Sequence, residues 1–266
     1  MLDLKKGPWE WLRQELDRWQ ALDLEAEFWW RDDDAVDVTP ELKQLCQLSA
    51  QYSAPLSLAV IPKLLQPGLA SYLNQYRSVN VLQHGFAHIS HATQGERKLE
   101  LGGNWETEQA LSSLTQGRTL LSATFPKQFV SVMVPPWNRI GKDIAEALAQ
   151  SDYLGISTMK ARKSALINQR LKVVNTHLDP IHWRHRGGFL GTYPCIAILI
   201  QHLIAKRSGY RDPEEPTGLL THHLVQNKSV WRFTEKLLDF LNQHPAAKWS
   251  DAKSQWENNS VVGRRV

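Results

Sequence analysis

The chain is poor in the residues that would tie it together covalently. Its 266 residues include two cysteines, Cys46 and Cys195, far apart in sequence. A disulfide framework is therefore excluded as the basis of the fold, and so sparse a use of cysteine suits a reducing, cytoplasmic setting. Long apolar runs are missing too. The longest, 196–200 with its flanks, is broken by Gln201 and His202 and is too short to span a membrane. Residues 1–19 are rich in Lys, Glu and Arg, with no apolar centre and no small-residue cleavage site, so they do not read as an export signal. Neither sign of charge dominates: the formal net charge is +4 and no basic stripe occurs, so a nucleic-acid partner is not expected. A Gly-rich dinucleotide fingerprint, an internal repeat and a Pro/Gly/Ser linker are all missing, which leaves a single domain as the simplest organisation.

What is present is a globular balance, 42% hydrophobic and 22% charged. Residues 9–22 place Trp9, Leu12, Leu16 and Trp19 at helical spacing. A first strand is expected over 24–30. Thr39-Pro40-Glu41-Leu42 then reads as a capped helix start. Further strands are expected over 56–61, 79–82, 129–134, 153–157, 171–176 and 218–221. Helices are expected over 69–76, 105–121, 144–148, 193–205 and 230–241. Strands alternating with helices predict parallel pairing. The missing fingerprint favours closure, so the expected fold is α/β, a distorted parallel (β/α)7-type barrel in a single domain. Residues 1–23 would form an N-terminal amphipathic helix packing on the barrel, 24–245 the barrel itself, and 246–266 a polar, loose C-terminal tail.

The most unusual stretch is Trp29-Trp30-Arg31-Asp32-Asp33-Asp34. Two aromatics suited to a buried strand run into three carboxylates, which repel and are most easily solvated at a surface. Such a strand end is either an acidic turn or the rim of a site. In parallel barrels the site lies at the C-terminal ends of the strands. Seven of the ten histidines fall just after proposed strands: His84, His88, His91, His177, His182, His222 and His223. On a helical turn His84 and His88 would share one face and reach one metal ion, although many such pairs are plain surface residues. A carboxylate added from the first strand's end makes a two-His, one-Asp set with open positions, suited to zinc or another divalent transition metal. His91 would support the site or face solvent. Most of the 11 tryptophans are expected in the core, Trp29 and Trp30 within the barrel, whereas Trp137 and Trp183 stand at the rim and would shape a groove. Arg184, His185 and Arg186 form a basic cluster that is either a solvated loop or a contact for a phosphate group.

These residues, in this order, resemble the motifs of the polysaccharide deacetylases, carbohydrate esterase family four, across about 30–225. Asp33 and Asp34 match the paired aspartates of the first motif. By that resemblance Asp33 is the catalytic base and Asp34 a metal ligand. His84 and His88 match the second motif as metal ligands, with Gly85 where the family has a small hydroxyl residue. Val134-Pro135-Pro136-Trp137 matches the third motif without its Arg, which in the family orients the base; Arg31 or Arg139 could substitute. Asp179-Pro180-Ile181-His182-Trp183 resembles the fourth motif with His182 in place of its second acid. Leu220-Thr221-His222-His223 resembles the fifth, with His223 in place of an Asp.

The resemblance implies a metal-dependent hydrolase that removes an N-acetyl, less readily an O-acetyl, group from a sugar or carrier-linked sugar. Zinc is the implied ion, with cobalt, nickel or manganese as alternatives. Asp33 would take the water's proton and His222 would protonate the leaving nitrogen. A backbone N–H near Trp137 would help hold the oxyanion, and Asp179 would hold the imidazolium. Two rival readings share the scaffold: hydrolysis of a non-sugar amide or ureide, and a carbohydrate-binding pseudoenzyme without turnover.

Overall fold

The structure, a computed structural model, describes residues 7–183 and 187–257. The basic cluster Arg184, His185 and Arg186 lies outside the described residues. Strands β1 (Ala26–Ala35), β2 (Leu56–Val60), β3 (Val79–His84), β4 (Phe129–Val134), β5 (Gly155–Ile156), β7 (Leu171–Val173) and β10 (Thr217–Thr221) pair in parallel, in the order β10-β1-β2-β3-β4-β5-β7. Strand β6 (Leu166–Ile167) adds to β7 as an antiparallel hairpin. Beyond β7 the chain returns to β10. The His177 and Leu178 N–H groups donate to the Gly218 carbonyl at 2.7 and 3.0 Å, and Leu178 bridges Leu219. The result is the expected (β/α)7-type barrel. Gly218 is needed at this seam, because a Cβ there would stand 2.5 Å from Trp29 Nε1 and 2.6 Å from Thr176 Cα.

The connecting helices are α2 (Pro40–Gln51), α3 (Gly68–Leu73), α4 (Thr107–Thr124), α5 (Lys142–Leu148), α6 (Thr192–Arg207) and α7 (Lys228–Asn242). Helix α2 begins as its sequence predicts: the Thr39 hydroxyl accepts the Leu42 N–H at 3.1 Å, with Pro40 in the first turn. Helix α1 (Pro8–Ala21) lies against α6 and α7. It is joined by Glu15 to Arg207 at 2.7 Å and by Trp9 against Phe233 and Phe240. None of the described helices is long and apolar enough to cross a membrane.

Strand alternation divides the core into two layers. Trp29, Ala59, Leu82, Val132, Val134 and Val174 fill the barrel interior, whereas Trp30 with Leu56, Leu58 and Leu199 packs between sheet and helices. Trp30 therefore departs from the expected interior position. It faces outward because Trp29 faces in, and its indole N–H donates to Thr221 Oγ1 at 2.9 Å.

Three further expectations need correction. The first strand runs on through all three aspartates to Ala35. A short hairpin of β8 (Ile181–His182) with β9 (Gly188–Phe189) was not expected. The segment expected to be a loose polar tail forms a strand and a helix between Ala247 and Trp256. Strand β11 (Ala247–Trp249) pairs with β1, and α8 (Ala252–Trp256) closes the bottom of the barrel. Trp256 is only 4% exposed and meets the edge of Trp29, with ring centroids 5.5 Å apart. The apolar residues of this segment are few, but Ala252 and Trp256 bury almost completely.

Candidate active site

The three aspartates at the end of β1 are not a solvated cluster. Asp32 and Asp33 are buried, and each has its own partner. Asp32 points to the helix side of the sheet, where its carboxylate accepts the Thr221 hydroxyl at 2.6 Å and the His223 N–H at 3.0 Å. His223 Nδ1 lies 2.5 Å from the other oxygen. Burial works to lower the His223 imidazole, but the Asp32 charge and hydrogen bond raise it above its ordinary value. His223 is thus a structural counter-ion behind the strand.

Asp33 points into the barrel mouth on the same face as Arg31, two residues earlier. Arg31 Nε lies 2.8 Å from Asp33 Oδ1, and Nη2 donates to Oδ2 at 3.0 Å. The rest of the guanidinium is held by Asn138 Oδ1 at 2.6 Å, Ser157 Oγ at 2.7 Å and the carbonyls of Ser157 and Thr158. Arg139, the other candidate partner for Asp33, instead donates to the Lys98 carbonyl.

Simple alternation would aim Asp34 away from Asp33. Two features of the backbone re-aim it. The register between β1 and β2 shifts between Asp32 and Ala35, and Asp34 adopts a left-handed φ of 72°. Both neighbouring carboxylates therefore reach the mouth. Asp34 Oδ1 lies 3.1 Å from His84 Nε2 and 3.3 Å from His88 Nε2. His84 ends β3, and its Nδ1–H donates to the Val134 carbonyl at 3.0 Å, which turns Nε2 towards Asp34 Oδ1.

His84 and His88 do not share a helical face as expected. Residues 85–88 form an irregular turn in which Gly85 and His88 have φ of 53° and 58°. Burial works to raise the Asp34 carboxyl. The His84 hydrogen bond and the charges of His84, His222 and His88 outweigh it and hold the carboxyl well below its usual range. Burial and the neighbouring His84 lower His88.

This set fits a divalent ion. Three donor atoms of the zinc-binding types converge, and ligands about 2.0–2.1 Å from a common ion stand roughly 3.0–3.4 Å apart, as Asp34 does from each histidine. Left-handed backbone at two of the three residues, Asp34 and His88, is the strain expected where geometry is imposed by a site.

His222, just after β10, closes the far side. Its Nε2 is 4.0 Å from Asp33 Oδ2, and its Nδ1 is 3.8 Å from Asp179 Oδ2. Asp179 is fixed by the Ile181 N–H at 2.9 Å and the Trp183 indole at 2.7 Å. Burial raises its carboxyl against the pull of His222 and these donors. Trp183 packs edge-on to His222 at 4.7 Å and is 52% exposed. Trp137 packs on His88 at 4.5 Å and carries a left-handed φ of 56°. The two tryptophans form opposite walls of the mouth.

Not every rim histidine joins. His91 stacks on Trp105 at 4.5 Å. His177 turns into the barrel seam, where it accepts the Gly218 N–H at 2.9 Å and stacks on His202 at 3.6 Å beside Glu215. Burial and the adjacent His177 hold His202 down at about 2, and Lys206, also buried here, falls to about 8. Although donor atoms of His177, His202 and Glu215 come within 4.8 Å, nearly parallel rings cannot both aim in-plane lone pairs at one ion. Lys206 and Arg162 already supply cations to this cluster.

Asn138 and Glu100 escape the sequence reading as working residues. Asn138 follows a motif, but nothing in that segment signals a contact to Arg31. Glu100 sits in an unremarkable polar loop, and its carboxylate accepts three backbone N–H groups of the His84–His88 turn.

No family model and no curated protein matches the chain. Solved structures do. A putative polysaccharide deacetylase from Mycobacterium smegmatis is 13% identical, with a TM-score of 0.62 over 91% of this chain and 94% of that one. A CE4 esterase from Streptococcus mutans is 13% identical, with a TM-score of 0.56 over 91% and 90%. A family 4 acetyl xylan esterase from Clostridium thermocellum, in complex with a cobalt ion, is 11% identical, with a TM-score of 0.54 over 87% and 90%. The chain shares their fold.

Proposed function

We propose that this chain is a divalent-metal-dependent deacetylase of the polysaccharide deacetylase family. It hydrolyses an N-acetyl amide, or in second place an O-acetyl ester, on a sugar or carrier-linked sugar. The observation that carries this reading is the pairing of two half-sites. Asp34, His84 and His88 converge on one point, while Asp33 and His222 face each other 4.0 Å apart beside it. A divalent ion held by the first three would polarise the acetyl carbonyl and make water more acidic.

The chain's own residues supply the rest. Asp33, immobilised by Arg31, accepts a proton from the attacking water. The backbone N–H of Trp137 donates to the oxygen that becomes negative as the carbonyl is attacked. His222 gives its proton to the leaving nitrogen as the C–N bond breaks, yielding acetate and an amine. Asp179 stabilises the charged imidazole of His222. Trp137 and Trp183 present apolar faces to the sugar rings.

The rival of a binding protein without turnover is disfavoured by the Arg31–Asp33 pair. Holding a metal or a sugar needs no base clamped at two points. A ureide substrate is separated by product, ring opening in place of acetate. The test measures metal content and acetate release from N-acetylated sugars and their nucleotide conjugates. The wild type is expected to carry about one ion per chain and to release acetate. Asp33→Asn should keep the ion and lose turnover by about 10²-fold or more. Asp34→Ala with His84→Ala should lose both. Full turnover in Asp33→Asn would overturn the assignment.

A further inference from the structure

The His84–His88 turn has no regular secondary structure to hold it, yet it must present two imidazoles to one point. Its backbone passes through left-handed conformations at Gly85 and His88. The three N–H groups of Phe86, Ala87 and His88 all turn to one side. There they converge on a single oxygen, Glu100 Oε1, at 3.3, 2.7 and 3.0 Å. Successive N–H groups arranged in this way form an anion-binding nest. Glu100 is fully buried. It is anchored by its own surroundings: Leu101 bridges Ile140 and accepts the Gly141 N–H at 2.6 Å, just beyond the Trp137 turn.

We propose that Glu100 is the positioning residue for the metal ligand His88, and that it explains Gly85. The inference rests on the metal-site reading above. The second oxygen, Oε2, has no hydrogen-bond partner among the described residues and lies against Gly85. A Cβ at position 85 would stand 2.0 Å from that oxygen and 2.7 Å from the Pro136 ring. The hydroxyl residue that the resemblance leads one to expect at 85 has no room, because a carboxylate from a loop further along the chain occupies its place. Burial raises the Glu100 carboxyl above its ordinary value, while the three N–H groups that it accepts pull it back. The carboxyl group organises the turn from behind.

Two readouts test this on the full chain. In the first, amide exchange of residues 86–88 is followed in the metal-free protein, for wild type, Glu100→Gln and Glu100→Ala. Protection is expected to fall in Glu100→Gln and to vanish in Glu100→Ala. In the second, cobalt(II) and zinc(II) are titrated against a competing chelator. Affinity is expected to drop about 10- to 100-fold in Glu100→Ala, with Glu100→Gln between it and wild type. The cobalt d–d spectrum should show a changed ligand set at saturation. Far-UV circular dichroism identifies any variant that has merely unfolded, and Glu100→Gln, nearly isosteric, keeps the comparison open. Equal affinity and equal protection in all three proteins would overturn the role of Glu100. A wild type that binds neither ion would overturn the metal-site reading, and the exchange data would still decide whether Glu100 holds the turn.

Discussion

Arg31 and Asp33 stand two residues apart on one strand and meet through two contacts, 2.8 and 3.0 Å long, inside the barrel mouth. The strand's own alternation brings them to the same face, so the proposed base and the group that holds it come from one element. The guanidinium fork is planar and rigid, and hydrogen bonds to Asp33, Asn138, Ser157 and Thr158 fix it from both sides of the barrel.

Lysine cannot reproduce that fork. Arg31→Lys is expected to lower kcat/KM by about 10²-fold with the metal Kd unchanged, because the proposed base is mispositioned and the proposed ligands are untouched. Arg31→Met should in addition cost about 3–5 kcal/mol of stability, since it leaves Asp33 buried without its counter-ion. Steady-state kinetics beside chelator competition separates the two effects. Near-wild-type turnover in Arg31→Lys would show that Asp33 needs no fork.

Acid should weaken the fold through the barrel seam. His202 is neutral and buried among His177, Thr217, Lys206 and Arg211, its imidazole lowered from 6.5 to about 2. The unfolded chain binds a proton here below pH 6.5 and the folded chain does not, so stability is lost as pH falls from 6.5. One such imidazole contributes about 1.4 kcal/mol between about pH 7.5 and 5.5. His84 and His223, both raised by carboxylates, act in the opposite sense. Urea unfolding of wild type and His202→Gln at the two pH values isolates the seam, because the opposing groups are common to both. The variant is expected to lose about 1.4 kcal/mol less than wild type on acidification. An identical loss in both would show that His202 is not kept neutral.

Trp256 offers a test of the barrel's lower closure. Trp256→Ala should cost about 3–5 kcal/mol in the metal-free protein, the range for emptying a large aromatic site. Trp183→Ala, at an exposed rim position, should cost about 1–2 kcal/mol, through the hydrogen bond lost to Asp179. Comparable small effects for both would mean that the C-terminal helix is not part of the core.

Much of the fold was legible because parallel barrels write themselves as short apolar runs between capped helices, as at 56–60 and 129–134. The converging site residues were legible for a related reason. Few residue types bind metals or move protons, and here they follow strand ends. The rest depended on partners distant in sequence. Whether Asp32 is solvated or buried is decided by His223, which pairs with it from the opposite end of the chain. The Arg31 contact to Asp33 could be named as one of two options, but Arg139 was ruled out only by its bond to Lys98. The C-terminal segment misled because a single tryptophan carries its burial, and one residue makes no period. Glu100 left no trace at all, since a glutamate in a polar loop is the commonest of surface residues.

The pairing of β1 with β10 and β11 has a consequence for how the molecule comes into being. Synthesis delivers β1 first, its neighbour on one flank, β10, near the end, and β11 last. At about 5–20 residues per second, the strand waits on the order of ten seconds for β10 to leave the ribosome. During that time its main-chain donors and acceptors on that flank are open, beside two large indoles with no barrel yet around them. Asp33 and His222 stay apart for as long. A nascent or truncated chain is therefore sticky, and the proposed reaction centre is assembled by the same late event that seals the barrel.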